Sequence, residues 1–408
     1  MPANKVFTEE EVSNRAPSLP SELSKSCIET YEQSFAQLVG TRRAIAFAYG
    51  RTALQCILAA AGLQRGDEII LSPLTCKVVP LALLAQGLKP VYAEISRDTL
   101  NLDARAVAAA IGPTTRAILF QHTYGSSAGV EPVVEITTQK GLLLIEDCAQ
   151  CTPCAEGAKG PGRWGIAGIF SNNLRKPIPA GSGGLAVTDN ERLAEEVARL
   201  RDQYPHRGRL AEASLRVENW AHEHILRPWL YWPLYEWHRK MKPAIASLTL
   251  EQEIAREVSE VSLRISERQA RTVLCWLGKM ESMVRHRQLC CQEYAKALRQ
   301  IPAVEVPHLR PGQLLFYFPV LVRDKGGLLK SARKKHLEVI AWPYRTPIYP
   351  VEDNSDLARY GYQPGSCPVA ETVATRLIGL PTDFAASASQ REAAIELIQS
   401  HHEPRVGN

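Results

Sequence analysis

Short apolar runs alternate with helical patterns between residues 44 and 188, and this alternation constrains the fold more than any other feature of the sequence. Strands that are separated by helices usually pair in parallel, so the pattern predicts an α/β lobe with a mainly parallel, helix-covered sheet. Sheets of this kind bind ligands in loops at the carboxyl ends of their strands. The predicted strands are residues 44–48, 68–71, 90–95, 116–121, 142–146, 166–170 and 185–188.

The chain has 408 residues, which is long for one domain, so we expect two lobes. Residues 1–24 are rich in Pro, Ser and Glu and are predicted to form a loosely packed arm. Residues 25–257 are the predicted large domain, with an aromatic insertion at 203–257, and residues 258–408 are the predicted small domain. The elements expected in the small domain are a long helix at 258–298, strands at 314–322 and 339–342, and a closing helix near 390–399.

Charge and hydropathy indicate which kinds of partner the protein can bind and in which compartment we expect it. The chain has 48 Lys and Arg against 43 Asp and Glu. This excess is small and dispersed, so no nucleic-acid surface is expected, whereas an anionic ligand would suit the protein. The first ten residues contain polar and charged side chains and no apolar core of a signal peptide, and no run of roughly 18 apolar residues marks a membrane span. We therefore expect a cytoplasmic protein.

The ten cysteines fit no secreted disulfide framework in a chain this long and are expected to be thiols. Three of them, Cys148, Cys151 and Cys154, have the spacing C-x2-C-x2-C, which resembles part of an iron–sulfur motif. A fourth cysteine at suitable spacing is missing from the sequence, so we predict no metal site.

A lysine loop follows the predicted strand 166–170 and leads into the glycine cluster Gly181-Ser182-Gly183-Gly184. Its two informative residues are Ser171 and, five positions later, Lys176. The serine can hydrogen-bond a phosphate while the lysine amine reaches an aldehyde carbon, which is what an enzyme needs to hold an aldehyde cofactor covalently. The spacing alone is common by chance, and a surface lysine is the alternative.

A second candidate is the turn Gly50-Arg51-Thr52, which follows the first predicted strand and opens a helix. The free amides and the positive dipole end at the start of a helix suit a phosphate group. An ordinary turn between a strand and a helix is the alternative interpretation.

A third candidate is Asp147, in the stretch Glu146-Asp147-Cys148-Ala149-Gln150 at the end of the predicted strand 142–146. Its position puts a carboxylate at the functional edge of the sheet, although an isolated Asp there is often a helix cap. In a pyridoxal phosphate site this carboxylate would keep the pyridine nitrogen protonated, so that the ring withdraws electrons from the substrate carbon.

These pieces, in this order, resemble the DegT/StrS family of pyridoxal-phosphate-dependent sugar aminotransferases, a branch of the aspartate-aminotransferase-like fold (fold type I). The resemblance covers residues 43–202, 262–298 and 367–382. It implies a large domain with a mainly parallel seven-stranded sheet and a smaller α+β C-terminal domain. The matching stretches are the phosphate turn at 50–54, the second strand at 66–70 with Pro73-Leu74-Thr75, the Glu-Asp-x-Ala-Gln signature at 146–150, the lysine loop at 170–176 and the Leu-Pro turn at 379–381.

The resemblance also implies a role for each matched residue. Lys176 would attach the cofactor and act as general acid and base, and Asp147 would pair with the pyridine nitrogen. Gln150 would contact the ring hydroxyl. The residues assigned to the cofactor site are Gly50, Arg51, Thr52, Cys76, Asp147, Gln150, Ser171, Lys176 and Ser262.

Three positions depart from the family pattern. Cys76 replaces an aromatic residue that stacks on the cofactor ring, and Ser182 replaces a glutamate near the sugar pocket. Family members are homodimers whose active sites are completed by the partner subunit, through a stretch that matches residues 262–267 here. The expected asparagine of this stretch is Ser262, which has a shorter hydrogen-bonding side chain.

We therefore expect a homodimeric, cytoplasmic aminotransferase. It would move an amino group from glutamate or glutamine to a keto group of a nucleotide-linked sugar, in the biosynthesis of amino sugars, polysaccharides or glycosides. Sugar dehydratases of this superfamily carry histidine at the position of Lys176, so the lysine favours transamination. Two alternatives are a pyridoxal-phosphate-dependent sugar dehydratase or lyase, and a non-catalytic cofactor-binding scaffold or regulator.

The aromatic insertion contains the stretch 227–240, in which three tryptophans lie beside Lys and Arg residues. Aromatic rings among cations suit a membrane–water interface, so a peripheral membrane contact is one interpretation. Packing of a hairpin on the dimer partner or the main lobe is the other. The two prolines of the stretch argue against a continuous amphipathic helix.

Overall fold

The computed structural model describes residues 26–153, 159–208, 248–308, 313–343 and 345–402. The predicted arm at 1–24, the aromatic stretch at 227–240 and Cys154 lie outside the described residues. The interpretations that rest on them stay predictions.

A seven-stranded sheet forms the centre of the large lobe, in the order β1-β8-β7-β6-β5-β2-β4. Neighbouring strands are parallel except where β8 meets β1 and β7. The predicted fold class is therefore confirmed. The strands of the described residues are β1 Arg43–Phe47, β2 Glu68–Leu71, β3 Thr75–Cys76, β4 Lys89–Tyr92, β5 Thr115–Gln121, β6 Leu143–Asp147, β7 Ala167–Ser171, β8 Gly184–Thr188, β9 Tyr317–Leu321, β10 Ile348–Tyr349 and β11 Leu377–Pro381.

Helices cover both faces of this sheet and build most of the C-terminal lobe. None of the helices in the described part of the chain is long and apolar enough to cross a membrane. The α-helices described are α1 Cys27–Val39, α2 Gly50–Ala60, α3 Val78–Ala85, α4 Ala104–Ala110, α5 Val130–Lys140, α6 Glu191–Asp202, α7 Leu250–Val261, α8 Glu267–Leu277, α9 Met280–Leu298, α10 Lys325–Lys334, α11 Pro368–Arg376 and α12 Ala388–His402.

Alternation along strand β6 assigns its side chains to two different cores. Ile145 packs in the cluster that contains residues of α2, α3 and α6, whereas Leu144 packs in the cluster beneath α4 and α5. Because successive side chains of a strand point to opposite faces, Asp147 shares the face of Ile145, and Glu146 shares the face of Leu144. Two adjacent carboxylates thus lie on opposite sides of the sheet.

The prediction of one long helix at 258–298 is wrong, because α7, α8 and α9 divide this range. The physical reason is a capping box at Ser266, whose hydroxyl accepts a hydrogen bond from the Gln269 amide while the Gln269 side chain accepts one from the Ser266 amide. This arrangement satisfies two free amides at the start of α8 and so favours a new helix there. The second break is at Gly278, the C-cap of α8.

The C-terminal lobe is built on two antiparallel strands, β9 and β11, against which α9, α10 and α12 pack. Strand β9 is shorter than the predicted 314–322. The predicted strand 339–342 is wrong, because only Ile340 pairs there, in an isolated bridge to Gly379. The sequence pattern could not distinguish this short apolar segment, which packs beside β11, from a strand.

The two lobes are joined closely. Strand β3 follows β2 of the large lobe and pairs in parallel with β10, which comes from the C-terminal part of the chain. Helix α8 packs with α1, since Ala270 and Val273 share a core cluster with Phe35 and Val39. The predicted domain boundary between residues 257 and 258 stays a prediction.

Candidate active site

The carboxyl ends of β6 and β7 lie side by side and carry Asp147 and Ser171 as their last residues. Ser171 shares its face of β7 with Ala167 and Ile169, which pack in the same core cluster as Ile145 of β6. The side chains of Asp147 and Ser171 are therefore directed to the face of the sheet that α2 covers. This edge is the one at which parallel sheets bind ligands.

Helix α2 begins against the end of β7. A Cβ atom added to Gly50 would lie 2.8 Å from the Phe170 carbonyl oxygen and 3.0 Å from Ser171 Cβ. Only glycine therefore allows the helix to start this close to Ser171. The first-turn amides of a helix have no intrahelical acceptor and carry a partial positive charge, so this junction suits a phosphate group.

The side chains of Arg51 and Thr52 have partners within the chain. Arg51 Nη1 lies 2.6 Å from Glu257 Oε1, and its guanidinium lies over the Tyr49 ring at 5.2 Å from the centroid. The buried Thr52 hydroxyl donates a hydrogen bond of 2.7 Å to the Val261 carbonyl and so holds the end of α7. Thr52 can offer a phosphate its backbone amide, and its assignment to the cofactor stays a prediction.

Asp147 is 5% exposed, and its Oδ1 accepts a hydrogen bond of 2.9 Å from the Ala149 amide. Burial raises the pKa of the carboxyl, and the nearby Lys176 ammonium, the Ala149 amide and His122 act in the opposite direction. The structure therefore places the predicted carboxylate and the predicted lysine within electrostatic range of each other.

Cys76 belongs to the same site. Burial raises the pKa of its thiol, whereas the Val78 amide and the charges of Lys176 and Arg51 lower it. The thiol is therefore near enough to feel the charges of both Lys176 and Arg51. Its predicted contact with the cofactor stays a prediction.

Gln150 is oriented by the backbone of Tyr124, whose amide donates a hydrogen bond of 2.8 Å to Gln150 Oε1. Tyr124 has a φ of 54°, in the left-handed region, and its hydroxyl donates to the Trp342 carbonyl. The carboxamide also carries two N–H donors, which are the groups that a ring hydroxyl would accept from.

Ser262 is the C-cap residue of α7, and its hydroxyl hydrogen-bonds the Tyr204 oxygen of the same chain. Its predicted contact with the phosphate of a partner subunit concerns an assembly that a single chain does not test, so it stays a prediction. Ser182, at the second departure from the family pattern, is buried and accepts a hydrogen bond of 2.6 Å from Gln269 Nε2.

Glu146 has a structural role that the sequence analysis did not predict. It accepts hydrogen bonds of 2.7 to 2.8 Å from the amides of Gly162, Trp164 and Gly165, and His122 Nε2 lies 2.8 Å from its Oε2. The oxygens of this carboxylate are thus satisfied by protein groups. The only signal for this role was its position one residue away from Asp147 on an alternating strand.

His122, Glu146 and Cys148 are the one group of three potential metal ligands within the described ranges. Their ligand atoms lie within 4.8 Å of one another. Since Glu146 already accepts three amide hydrogen bonds and contacts His122, the cluster is organised for hydrogen bonding to the 162–165 loop.

The C-terminal lobe contributes residues that no local sequence pattern marked as candidates. The Arg287 guanidinium donates a hydrogen bond of 2.9 Å to the carbonyl of Pro177, directly after Lys176. Arg175, directly before the lysine, interacts electrostatically with Glu338 and Tyr317. Local patterns carry no information about such contacts between distant parts of a chain.

The donor set fits pyridoxal phosphate. The start of α2 and Ser171 form a junction for an anion, Lys176 is half-buried, and Asp147 is a buried carboxylate whose pKa is raised by burial and lowered by the charge of Lys176. These are the groups that would hold the phosphate, the aldehyde carbon and the pyridine nitrogen. Fold and site together define the chain as a pyridoxal-phosphate-dependent transferase of fold type I.

The chain belongs to the DegT/DnrJ/EryC1/StrS aminotransferase family, whose family model matches residues 19–223 and 235–399. The predicted family, the aminotransferase activity and the pyridoxal phosphate cofactor are thereby confirmed. The spore coat polysaccharide biosynthesis protein SpsC of Bacillus subtilis (strain 168) is 26% identical over 381 residues, which cover 91% of this chain and 88% of SpsC.

A shorter sequence match and two solved structures are also similar to this chain. GDP-perosamine synthase of Caulobacter vibrioides is 35% identical over 176 residues, which are 43% of this chain and 47% of that protein. The crystal structure of DesV from S. venezuelae superposes with a TM-score of 0.73 and 25% identity, covering 94% of this chain and 91% of DesV. NtdA from Bacillus subtilis with bound cofactor PMP shares the fold, with a TM-score of 0.71 and 20% identity over 93% of this chain and 78% of NtdA.

Proposed function

We propose that this protein transfers an amino group from glutamate or glutamine to a keto carbon of a nucleotide-linked sugar. The observation that carries the proposal is that the charge of Lys176 acts on the buried Asp147, at the edge of the sheet where Ser171 meets the start of α2. The relatives support the substrate class. They include two GDP-perosamine synthases and DesI, whose structure was determined with its TDP-sugar product. A further relative, the L-glutamine:2-deoxy-scyllo-inosose aminotransferase of Streptomyces kanamyceticus, supports glutamine as the amino donor.

Bound pyridoxal phosphate supplies a ring that withdraws electrons from the substrate carbon. The residues of the chain direct that chemistry. Asp147 must be ionised to hold a proton on the pyridine nitrogen, and the Lys176 charge and the Ala149 hydrogen bond favour its ionised form against the effect of burial. The Lys176 amine would remove and return a proton at the substrate carbon.

The same residues favour amino transfer over the dehydratase alternative. Proton movement at the substrate carbon needs a base that can also leave and rejoin the cofactor, and a lysine amine can do both. Lys176 occupies the position at which, by the family resemblance, the related sugar dehydratases carry histidine. Homodimers with shared sites and a cytoplasmic location accompany this proposal, with Ser262 as the residue directed to the partner.

The substrate proposal is tested with purified protein loaded with pyridoxal phosphate. It is incubated with glutamate or glutamine and a panel of GDP- and dTDP-linked keto-sugars, and the products are detected by mass. We expect an amino sugar from at least one acceptor. Loss of a sugar hydroxyl without gain of nitrogen would favour the dehydratase, and no change with any acceptor would contradict a nucleotide-sugar substrate.

Lys176→Ala is the control for this assay and is itself a prediction. Borohydride should attach the cofactor covalently to the unmodified protein and not to the variant, and the variant should show no turnover, because the amine that reaches the aldehyde carbon is gone. Intact mass after reduction measures the attachment. A variant that still retains cofactor covalently would show that another lysine is the attachment point.

A further inference from the structure

Arg287 of helix α9 is a buried charge directed at the lysine loop. The residue is 1% exposed, Nη2 donates a hydrogen bond of 2.9 Å to the Pro177 carbonyl, and Nη1 donates to the Thr152 hydroxyl. Pro177 follows Lys176 directly, and Thr152 lies two residues beyond Gln150. One side chain from a C-terminal helix thus joins the two segments that carry the predicted cofactor contacts.

The surroundings of this guanidinium supply only partial compensation for its charge. Both hydrogen-bond acceptors are neutral oxygens, and Nε has no partner within the described residues. The Phe316 ring, with its centroid 5.7 Å from the guanidinium carbon, adds a cation–π contact. Burial lowers the pKa of Arg287, and Asp383 is the largest opposing influence. An apolar residue of similar size would fill this space at a lower desolvation cost, so packing alone does not explain an arginine.

The backbone hydrogen bonds of the lysine loop show where Arg287 can act. At its base, the Asn172 amide donates 2.9 Å to the Gly183 carbonyl, and the Ala180 amide donates 3.1 Å to the Asn172 carbonyl. Between these two anchors the backbone passes through Lys176 and Pro177. The hydrogen bond from Arg287 therefore fixes the carbonyl of Pro177, the residue that directly follows the lysine.

We propose that Arg287 is a positioning residue that fixes the backbone after Lys176 and so aims the lysine amine at the cofactor. Thr152 has the supporting role of orienting the guanidinium. This inference rests on the proposed function of Lys176, but it does not depend on which sugar accepts the amine. A residue that acts through backbone position should change the rate of covalent attachment more than it changes the capacity to retain cofactor.

The test is Arg287→Met in the full chain, with pyridoxal phosphate as the probe. The rate at which added cofactor becomes reducible onto Lys176 by borohydride should fall on the order of tenfold to a hundredfold, since small misplacements of a reacting group have effects of this size. Arg287→Lys, which keeps one donor group near the Pro177 carbonyl, should recover part of the rate. In steady-state assays the loss should appear in kcat and not in the KM for the amino donor.

Arg285→Met is the matched control, because Arg285 lies on the same helix, is more than half exposed and pairs with Glu281 at the surface. It should attach cofactor at the rate of the unmodified protein. If Arg287→Met does not fold, Thr152→Val removes the second anchor with little change of shape and should slow attachment severalfold.

Three results would overturn the proposal. They are attachment by Arg287→Met or Thr152→Val at the unmodified rate, an equal loss in Arg285→Met, and a loss that follows the melting temperature and is not recovered by Arg287→Lys. Attachment is measured without sugar, so its result is separate from that of the acceptor panel. A slow Arg287→Met beside a silent panel would support the positioning role and contradict the substrate proposal.

Discussion

Glu146 and Asp147 are neighbours on one strand, are both buried, and lie on opposite faces of the sheet in very different surroundings. On one face, Glu146 accepts hydrogen bonds from three amides of the 162–165 loop and contacts His122. On the other face, the Asp147 side chain accepts one hydrogen bond within the described residues, from the Ala149 amide. Lys176 supplies a nearby charge.

The difference separates a structural carboxylate from one that is available to a ligand. Each oxygen of an ionised carboxylate has about two acceptor sites, and Glu146 uses nearly all of its capacity on the protein. In the part of the chain that the structure describes, Asp147 keeps most of its acceptor capacity unused although it is buried, which is unfavourable in isolation. A cationic group on the ligand, such as a protonated pyridine nitrogen, would compensate the buried negative charge of Asp147. The same group would find few free acceptor sites at Glu146.

Asp147→Asn tests the predicted role of Asp147 toward the cofactor. The amide keeps the shape of the side chain but removes the charge that holds the pyridine proton, so we expect turnover to fall at least about a hundredfold, on the order of 3 kcal/mol in the barrier. Thermal stability should change little. Steady-state kinetics and melting curves measure the two effects, and a nearly normal rate would show that the ring is paired elsewhere.

Glu146→Gln should give the opposite result on the structural side. The new NH2 group would face backbone N–H donors, and charge-assisted hydrogen bonds would be lost, so the free energy of unfolding should fall by about 2 kcal/mol. The folded fraction should keep its turnover within severalfold. Denaturant unfolding checks this, with Glu135→Gln, at an exposed position of α5, as control. Unchanged stability with lost activity would reverse the roles assigned to the two carboxylates.

Glu338 is a third carboxyl that can be compared with Glu146 and Asp147. Its surroundings disfavour the ionised form. Burial, followed by the nearby Asp383, raises its pKa from 4.5 to about 7, although Arg175 lowers it. Between these two values the unfolded chain has lost the proton that the folded chain keeps, so stability should fall as the pH rises through this range. Above about pH 7 the loss is complete.

Glu338→Gln should remove this dependence and raise the free energy of unfolding above about pH 7. The expected gain is on the order of 1 kcal/mol, after allowance for the partial exposure of the side chain. Denaturant unfolding of both proteins at about pH 5 and about pH 8 provides the measurement. Parallel curves would contradict the assignment of the pH dependence to this group.

The sequence predicted what local pattern and the family resemblance can encode. All seven strands of the main sheet were found within one to three residues of their ends, and the structure brings Asp147 and Lys176 together at the predicted edge. Apolar alternation between helices is a strong signal, and the motifs have fixed positions relative to the strand ends.

Three kinds of feature escaped. Strands β3 and β10 are two residues each, too short for any periodicity. The division of 258–298 into helices was readable from the capping sequence at Ser266 but was masked by continuous helical patterning. The contact of Arg287 with Pro177 joins positions 110 residues apart, and nothing local marks it.

The pairing of β3 with β10 also bears on the order of events during biosynthesis. Cys76 is made 273 residues (349 − 76) before its strand partner Tyr349. At ordinary rates of translation, tens of seconds separate the two, roughly, and β3 has no strand partner in that interval. A nascent chain can form the central sheet during this time, because all seven strands of that sheet precede residue 189. We therefore expect a chain that is truncated before β10 to keep the central sheet but to lack the strand that pairs with Cys76.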